Sequence, residues 1–250
     1  MKTKIRAKIC GLTRAEDGKA YRLDLSFLAR FAQIRELELC CRLHPQTDLS
    51  PVYALENLHS LRWLPDREID IARFPHLKNL QTAHAFASLH SPTLENLTLS
   101  APANLLFLAQ MPNIRALEIR DYAGSSLQGL ESLSRLENLI IRYGRKLADF
   151  GALAQCPHLA ALEMEGIPPD ADLSPLARCP RLHTLHLHTL ADCAFVAAMP
   201  SLQDFICKDI ANNDLTPLLC SPTLRYVYLA KHKRAYNVSK QELAQRFAGA

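Results

Sequence analysis

One spacing recurs along this chain: an apolar residue, a second three positions on, and a third two further. It begins at Ile34, Leu58, Leu77, Leu94, Ile114, Leu136, Leu159, Leu182, Leu202 and Leu224. Leu94-Glu95-Asn96-Leu97-Thr98-Leu99 and Leu182-His183-Thr184-Leu185-His186-Leu187 are clear copies. Successive starts lie 17 to 24 residues apart, near 21 on average. Such a period belongs to a chain that stacks small units, none of which can bury its apolar face alone. It also explains the composition, in which leucine takes 44 of 250 positions and glycine only 8.

A second signal keeps constant phase with the first. Asp24, Asp48, Asn104, Ser126, Asp149, Asp172, Asp192 and Asp214 each stand ten positions before the first apolar residue of a repeat. Proline stands two positions before it at Pro75, Pro92, Pro112, Pro157, Pro180, Pro200 and Pro222. Asp, Asn and Ser accept hydrogen bonds from the backbone at the start of a helical turn, and proline disfavours helix in the residue before it. Strand, corner, capped turn and proline stop make one coil of a solenoid.

The unit from Asp172 to Leu187 resembles leucine-rich repeats of the internalin and phosphatase-regulatory-subunit type, and the resemblance covers about 23–230. It implies an α/β fold class: a right-handed leucine-rich-repeat solenoid of about ten coils. A parallel β-sheet would form the concave face, which in such proteins binds other proteins. Short helical or 3-10 turns would form the convex face. One departure concerns the asparagine these repeats carry three positions after the third apolar residue. Here Arg42, Asp66, Ala85, Pro102, Tyr122, Gly144, Ile167, Leu190, Ile210 and His232 occupy those positions, so the descending turns should be irregular and unequal. The short third and fourth repeats, around Asp70 to Leu77 and His84 to Leu94, should distort the arc.

The ends should cap the stack, with 1–22 as an N-terminal cap, 23–230 as the solenoid and 231–250 as a C-terminal cap. Ile5, Ala7 and Ile9 alternate with Lys4, Arg6 and Lys8, which suits an edge strand with its charges facing water. Asp17-Gly18 reads as a turn. Ser239-Lys240-Gln241-Glu242 is a capping-box sequence opening a helix to about Phe247, with Leu243 and Phe247 laid across the last coil.

Charge and motif content narrow the function. The formal charge is +4, but Lys2, Lys4, Arg6, Lys8, Lys231, Lys233 and Arg234 supply seven positive charges at the ends, leaving a body near −3. The basic run from Lys231 to Arg234 follows Tyr226 and Tyr228, which is the pattern for a nucleic-acid-binding alternative. A solvated turn explains it as well. No apolar run reaches the ~20 residues of a membrane span. The amino end has no secretory hydrophobic stretch, which predicts a cytoplasmic protein. Its 8 cysteines would then be thiols, with Cys156 and Cys179 as buried fillers. No phosphate loop, nucleophile elbow or HExxH motif is present, so no catalysis and no cofactor are expected.

Between and just after the apolar positions of each strand lie the residues of the exposed sheet face. The early half of that face is small and bland. From the fifth repeat it carries Glu118, Arg120, Ile140, Arg142, Glu163, Glu165, His186, His188, Ile206, Lys208, Tyr226 and Tyr228, which form the candidate partner-binding set. Aromatic and Arg residues on a rigid face are common binding anchors. His186 and His188 beside Glu163 and Glu165 could also converge as a zinc ligand set, or form a plain surface network, which is the reading adopted. The expectation is a non-catalytic scaffold, monomeric on its own, that binds a protein on its concave face. It could act as an inhibitor or immunity-type protein; the alternatives are an enzyme regulatory subunit and a nucleic-acid-binding module.

Overall fold

In the computed structural model, residues 6–9, 22–84 and 89–247 are described; the expected Asp17-Gly18 turn lies outside them. The chain divides into two compact units, Met1–Ala101 and Pro102–Ala250. The first holds parallel strands β1 (Arg6–Ile9), β2 (Glu36–Leu39), β3 (Ser60–Trp63), β4 (Asn79–Thr82) and β5 (Asn96–Ser100). The second holds β6 (Ala116–Arg120), β7 (Asn138–Arg142), β8 (Ala161–Glu165), β9 (Thr184–Leu190), β10 (Asp204–Ile210) and β11 (Tyr226–Leu229), also parallel. Strands β2 to β11 are the ten repeats, and β1 is the expected edge strand.

Within each unit, strands pair with their sequence neighbours at the same repeat phase, so equivalent residues stack: Leu117, Leu139, Leu162, Leu185, Phe205 and Val227 share one row. Those six are all at most 1% exposed. Buried leucines of this kind are worth ~1.5–3 kcal/mol each, and stacking lets an inner coil bury its row against two neighbours. The pattern breaks at β4, where Thr82 takes the third apolar position. Its hydroxyl donates to the His84 carbonyl at 3.0 Å, which satisfies a buried polar group.

The polar residue ten positions upstream has a single geometry. Its side-chain oxygen accepts the N–H of the residue two ahead: Ser26 to Asp24, Ser50 to Asp48, Leu106 to Asn104, Gln128 to Ser126, Gly151 to Asp149, Ser174 to Asp172, Ala194 to Asp192 and Thr216 to Asp214, all at 2.9–3.1 Å. The bond turns the chain into a short helix, 3-10 at Ser26–Arg30, Leu106–Gln110, Gly151–Gln155, Ser174–Arg178 and Ala194–Ala198. It is α-helical at α1 (Ser50–Tyr53) and α2 (Thr216–Cys220). Asp70 does the same for Ala72 at 3.1 Å, out of phase because its repeat is short.

Without an asparagine ladder, other groups close the coils. The residue leaving β5, β6, β7 and β8 is left-handed in each case: Ala101, Asp121, Tyr143 and Gly166, with φ of 50°, 51°, 61° and 67°. The N–H groups of Asp121 and Tyr143 donate to Arg142 and Glu165 carbonyls, both at 2.8 Å. These four exits are thus alike, while β9 and β10 run on for seven residues, so the expected inequality of the turns is confined to part of the chain. Buried thiols also reach neighbouring coils: Cys156 donates to Leu130, Cys179 to Leu153, Cys193 to Asp214 and Cys207 to His188 carbonyls, at 3.4–3.6 Å. Beyond β11, Tyr236 and Asn237 tie the tail to Asp209 and Asp214, and Ser239 and Glu242 make the reciprocal capping box of α3 (Lys240–Arg246). Leu243 and Phe247 are buried, as expected of a cap.

Candidate functional site

The exposed residues of β6 to β11 stand in rows because register is kept strand by strand. Glu118, Ile140, Glu163, His186, Ile206 and Tyr228 are successive partners, as are Arg120, Arg142 and Glu165. The structure brings Glu118, Arg120, Glu163 and Glu165 into one network with Arg142 at its centre, and leaves Lys208 outside it. The Arg142 guanidinium reaches Glu165 at 2.8 Å, Glu163 at 3.1 Å and Glu118 at 3.3 Å, and Glu118 also accepts from Arg120 at 2.9 Å. The Arg120 bond, more than any other contact, holds the Glu118 carboxyl below its ordinary range, while Glu165 raises the Arg142 pKa. Three carboxylates against two guanidiniums leave the cluster with one negative charge in excess.

Beside the network lies an apolar depression of ≈260 Å³, bordered by Ile140, Ala161, Glu163, Thr184, His186 and Ile206. Leu139 and Leu162 also border it, and Ala161 is the smallest of its lining residues. Tyr228 is 45% exposed and Tyr226 half-buried at one end. Tyr143 follows Arg142 in a left-handed conformation and is 52% exposed. An aromatic side chain on such a backbone is uncommon, and sequence reasoning did not single it out.

The zinc set does not assemble. His186 is 3.8 Å from Glu163, but Glu165 is held by Arg142, and His188 Nε2 faces the Lys208 ammonium at 3.1 Å. An imidazole nitrogen accepting from a lysine has its lone pair occupied. Among the described residues no three His, Cys, Asp or Glu side chains are placed to share a metal. No helix among them is long and apolar enough to cross a membrane.

The early half of the face is not bland. Glu38 on β2 is 2% exposed because Arg6, Lys8 and Arg62 close over it at 2.6, 3.3 and 2.7 Å. The Cys40 thiol donates to it at 3.1 Å, and that bond, ahead of Arg6, takes its pKa to about 2. Lys8, Glu38 and Arg62 are direct register partners across β1, β2 and β3. The alternation of Arg6 and Lys8 in sequence was the available signal; what it lacked was the partner strand.

No protein-family model matches the sequence, and no curated protein matches it. Among solved structures, an internalin of Listeria monocytogenes is similar in fold, with a TM-score of 0.61 at 16% identity over 82% of this chain. This chain spans 64% of that one's length. Internalin C2 of the same organism gives 0.50 at 21% identity, over 81% of this chain and 83% of its own. The fold is that of a leucine-rich-repeat solenoid.

Proposed function

We propose that this protein is a non-catalytic scaffold that binds a protein partner on the sheet face of β6 to β11. The observation that carries the reading is the apolar depression at Ile140, Ala161 and Ile206, set beside a charge network whose members already hold one another. A rigid face with fixed side chains loses little conformational entropy on binding. An apolar side chain of the partner would enter the depression. A Lys or Arg beside it would meet Glu163 and Glu165, where the excess negative charge lies. Tyr226, Tyr228 and Tyr143 would add contact area around this centre, and Arg120, His188 and Lys208 would line its rim. Inhibition of an enzyme or toxin and regulation of an enzyme are both compatible with such a face; they differ only in what the partner does when covered.

Affinity purification with the wild type and with an Arg142→Glu, Tyr228→Ala variant tests the reading. The variant should lose a partner that the wild type retains. A partner held equally by both would overturn this choice of surface. Circular dichroism on the variant separates loss of binding from loss of fold.

A further inference from the structure

The sheet face of the first unit has a charge pattern of its own. One register row runs Lys8, Glu38, Arg62, Gln81 and Thr98 across β1 to β5. At the ~4.8 Å strand spacing it is about 19 Å long, the reach of roughly six extended residues. Glu38 accepts from the Arg6 and Arg62 guanidiniums at 2.6 and 2.7 Å and lies 3.3 Å from the Lys8 ammonium. Its side chain is 3% exposed, whereas those of Arg6, Lys8 and Arg62 are 60, 56 and 43% exposed. The carboxylate is sealed beneath three cations whose remaining N–H groups meet solvent. The face of β1 to β5 carries one further carboxylate, half-buried Glu36, so three positive charges stand against two negative and one is in excess. Pairing one buried carboxylate needs one guanidinium. Three cations gathered around it repel one another, and a second anion would offset that repulsion. Next in the row, half-buried Gln81 and Thr98 have side chains with no hydrogen-bond partner among the described residues.

We infer that this row receives an acidic segment of a partner protein, lying across β1 to β5 with its carboxylates on Arg6, Lys8 and Arg62. The cations select acidic over basic segments and set where the segment lies. Gln81 and Thr98 give its backbone and polar side chains hydrogen-bonding groups beyond the charged end of the row. Charge complementarity alone would also admit a nucleic acid. Single strands, however, bind by stacking bases on aromatic rings, and the face positions of β1 to β5 hold no aromatic residue. The site draws on the first unit alone and on no member of the Arg142 network, so it goes beyond the function proposed for β6 to β11.

The test uses two blocked eight-residue peptides, one alternating Glu with Ser and one alternating Lys with Ser. Each is titrated into the full chain by fluorescence anisotropy in about 50 mM NaCl, where surface charges are weakly screened. Backbone amide resonances of Arg62, Gln81 and Thr98 are followed by NMR, which also reports the fold of each variant. The acidic peptide should bind and shift all three amides, and the basic one should do neither. Lys8→Gln leaves both guanidiniums on Glu38, so the fold should survive while affinity falls about two- to fivefold, the worth of one ion pair. Lys8→Arg should restore it. Gln81→Glu adds a carboxylate to the row without removing any Glu38 contact and should weaken binding by a similar factor. Arg178→Gln removes the same charge from an exposed turn of the second unit and should change nothing. Five results would overturn the inference: no binding of the acidic peptide at millimolar concentration, equal binding of both peptides, equal affinity in Lys8→Gln and Arg178→Gln, tighter binding of a thymidine octanucleotide than of the acidic peptide, or displacement of that peptide by an equal concentration of inorganic phosphate.

Discussion

Replacing Arg142 by Met removes the one cation that Glu118, Glu163 and Glu165 share while keeping an aliphatic stem over the sheet. Three contacts of 2.8, 3.1 and 3.3 Å are lost together. Exposed ion pairs are worth ~0.2–1 kcal/mol each, and the Arg142 side chain is 31% exposed, so solvent screening keeps each near the middle of that range. Three such terms, plus repulsion among carboxylates left with only Arg120, give a cost of about 1–2 kcal/mol. For a unit of this size that lowers the melting temperature by roughly 2–8 °C. The cost should fall by about half in 0.5 M NaCl, where the screening length is only a few ångströms. Urea unfolding of the wild type, Arg142→Met, Glu165→Gln and the double variant gives the coupling directly, and about 0.5–1 kcal/mol is expected for that pair. A cost below about 0.3 kcal/mol at low salt, with no coupling, would refute the claim that Arg142 organises this face.

Three further outcomes follow from the coils themselves. Asp24, Asp48, Asp149, Asp172 and Asp214 have carboxyls held below the ordinary range by the N–H or side chain of the residue two ahead. A depressed folded pKa adds stability above the unfolded value and loses it as pH falls through the folded one, so urea midpoints should drop steadily from pH 5 downward. Asp172→Asn, which keeps the acceptor, should flatten part of that slope; an unchanged slope would contradict the capping account. Burial raises the thiols of Cys156 and Cys193 to about 12 and those of Cys179 and Cys207 to about 11. Iodoacetamide at pH 8 should therefore label exposed Cys220 and spare these four until the chain unfolds, which peptide mapping would show. Gly166→Ala should destabilise by about 1 kcal/mol or more in urea, because the added methyl meets a left-handed backbone. It would also stand 3.1 Å from the Tyr143 Cα.

Much of the coil was legible because its determinants are local. The three apolar positions, the polar residue that turns the chain and the proline that ends the turn all lie within one repeat, so their phase reads directly from the sequence. What escaped depends on partners 20 or more residues away. Glu38 looked like one acidic residue on a plain strand; only the register of β1 and β3 sets Lys8 and Arg62 on either side of it. Arg142 was identified as a face residue, but its hold on Glu118 and Glu165 across two strands follows from side-chain reach, not from spacing. The left-handed exits at Ala101, Asp121 and Tyr143 carry no glycine to announce them. The His–Glu pairing failed as a metal site for the converse reason: adjacency in register left open which neighbour, Arg142 or His188, Glu165 would choose.

The claim that matters most is that a partner docks on the sheet face beside Arg142. A photo-reactive benzophenone side chain placed at Ile206, on that face, and separately at Arg178, on an exposed 3-10 turn, addresses it directly with the partner recovered by affinity purification. Irradiation should join the partner to position 206 and leave position 178 unlinked. Crosslinking at 178 alone would place the partner on the turns and contradict the account.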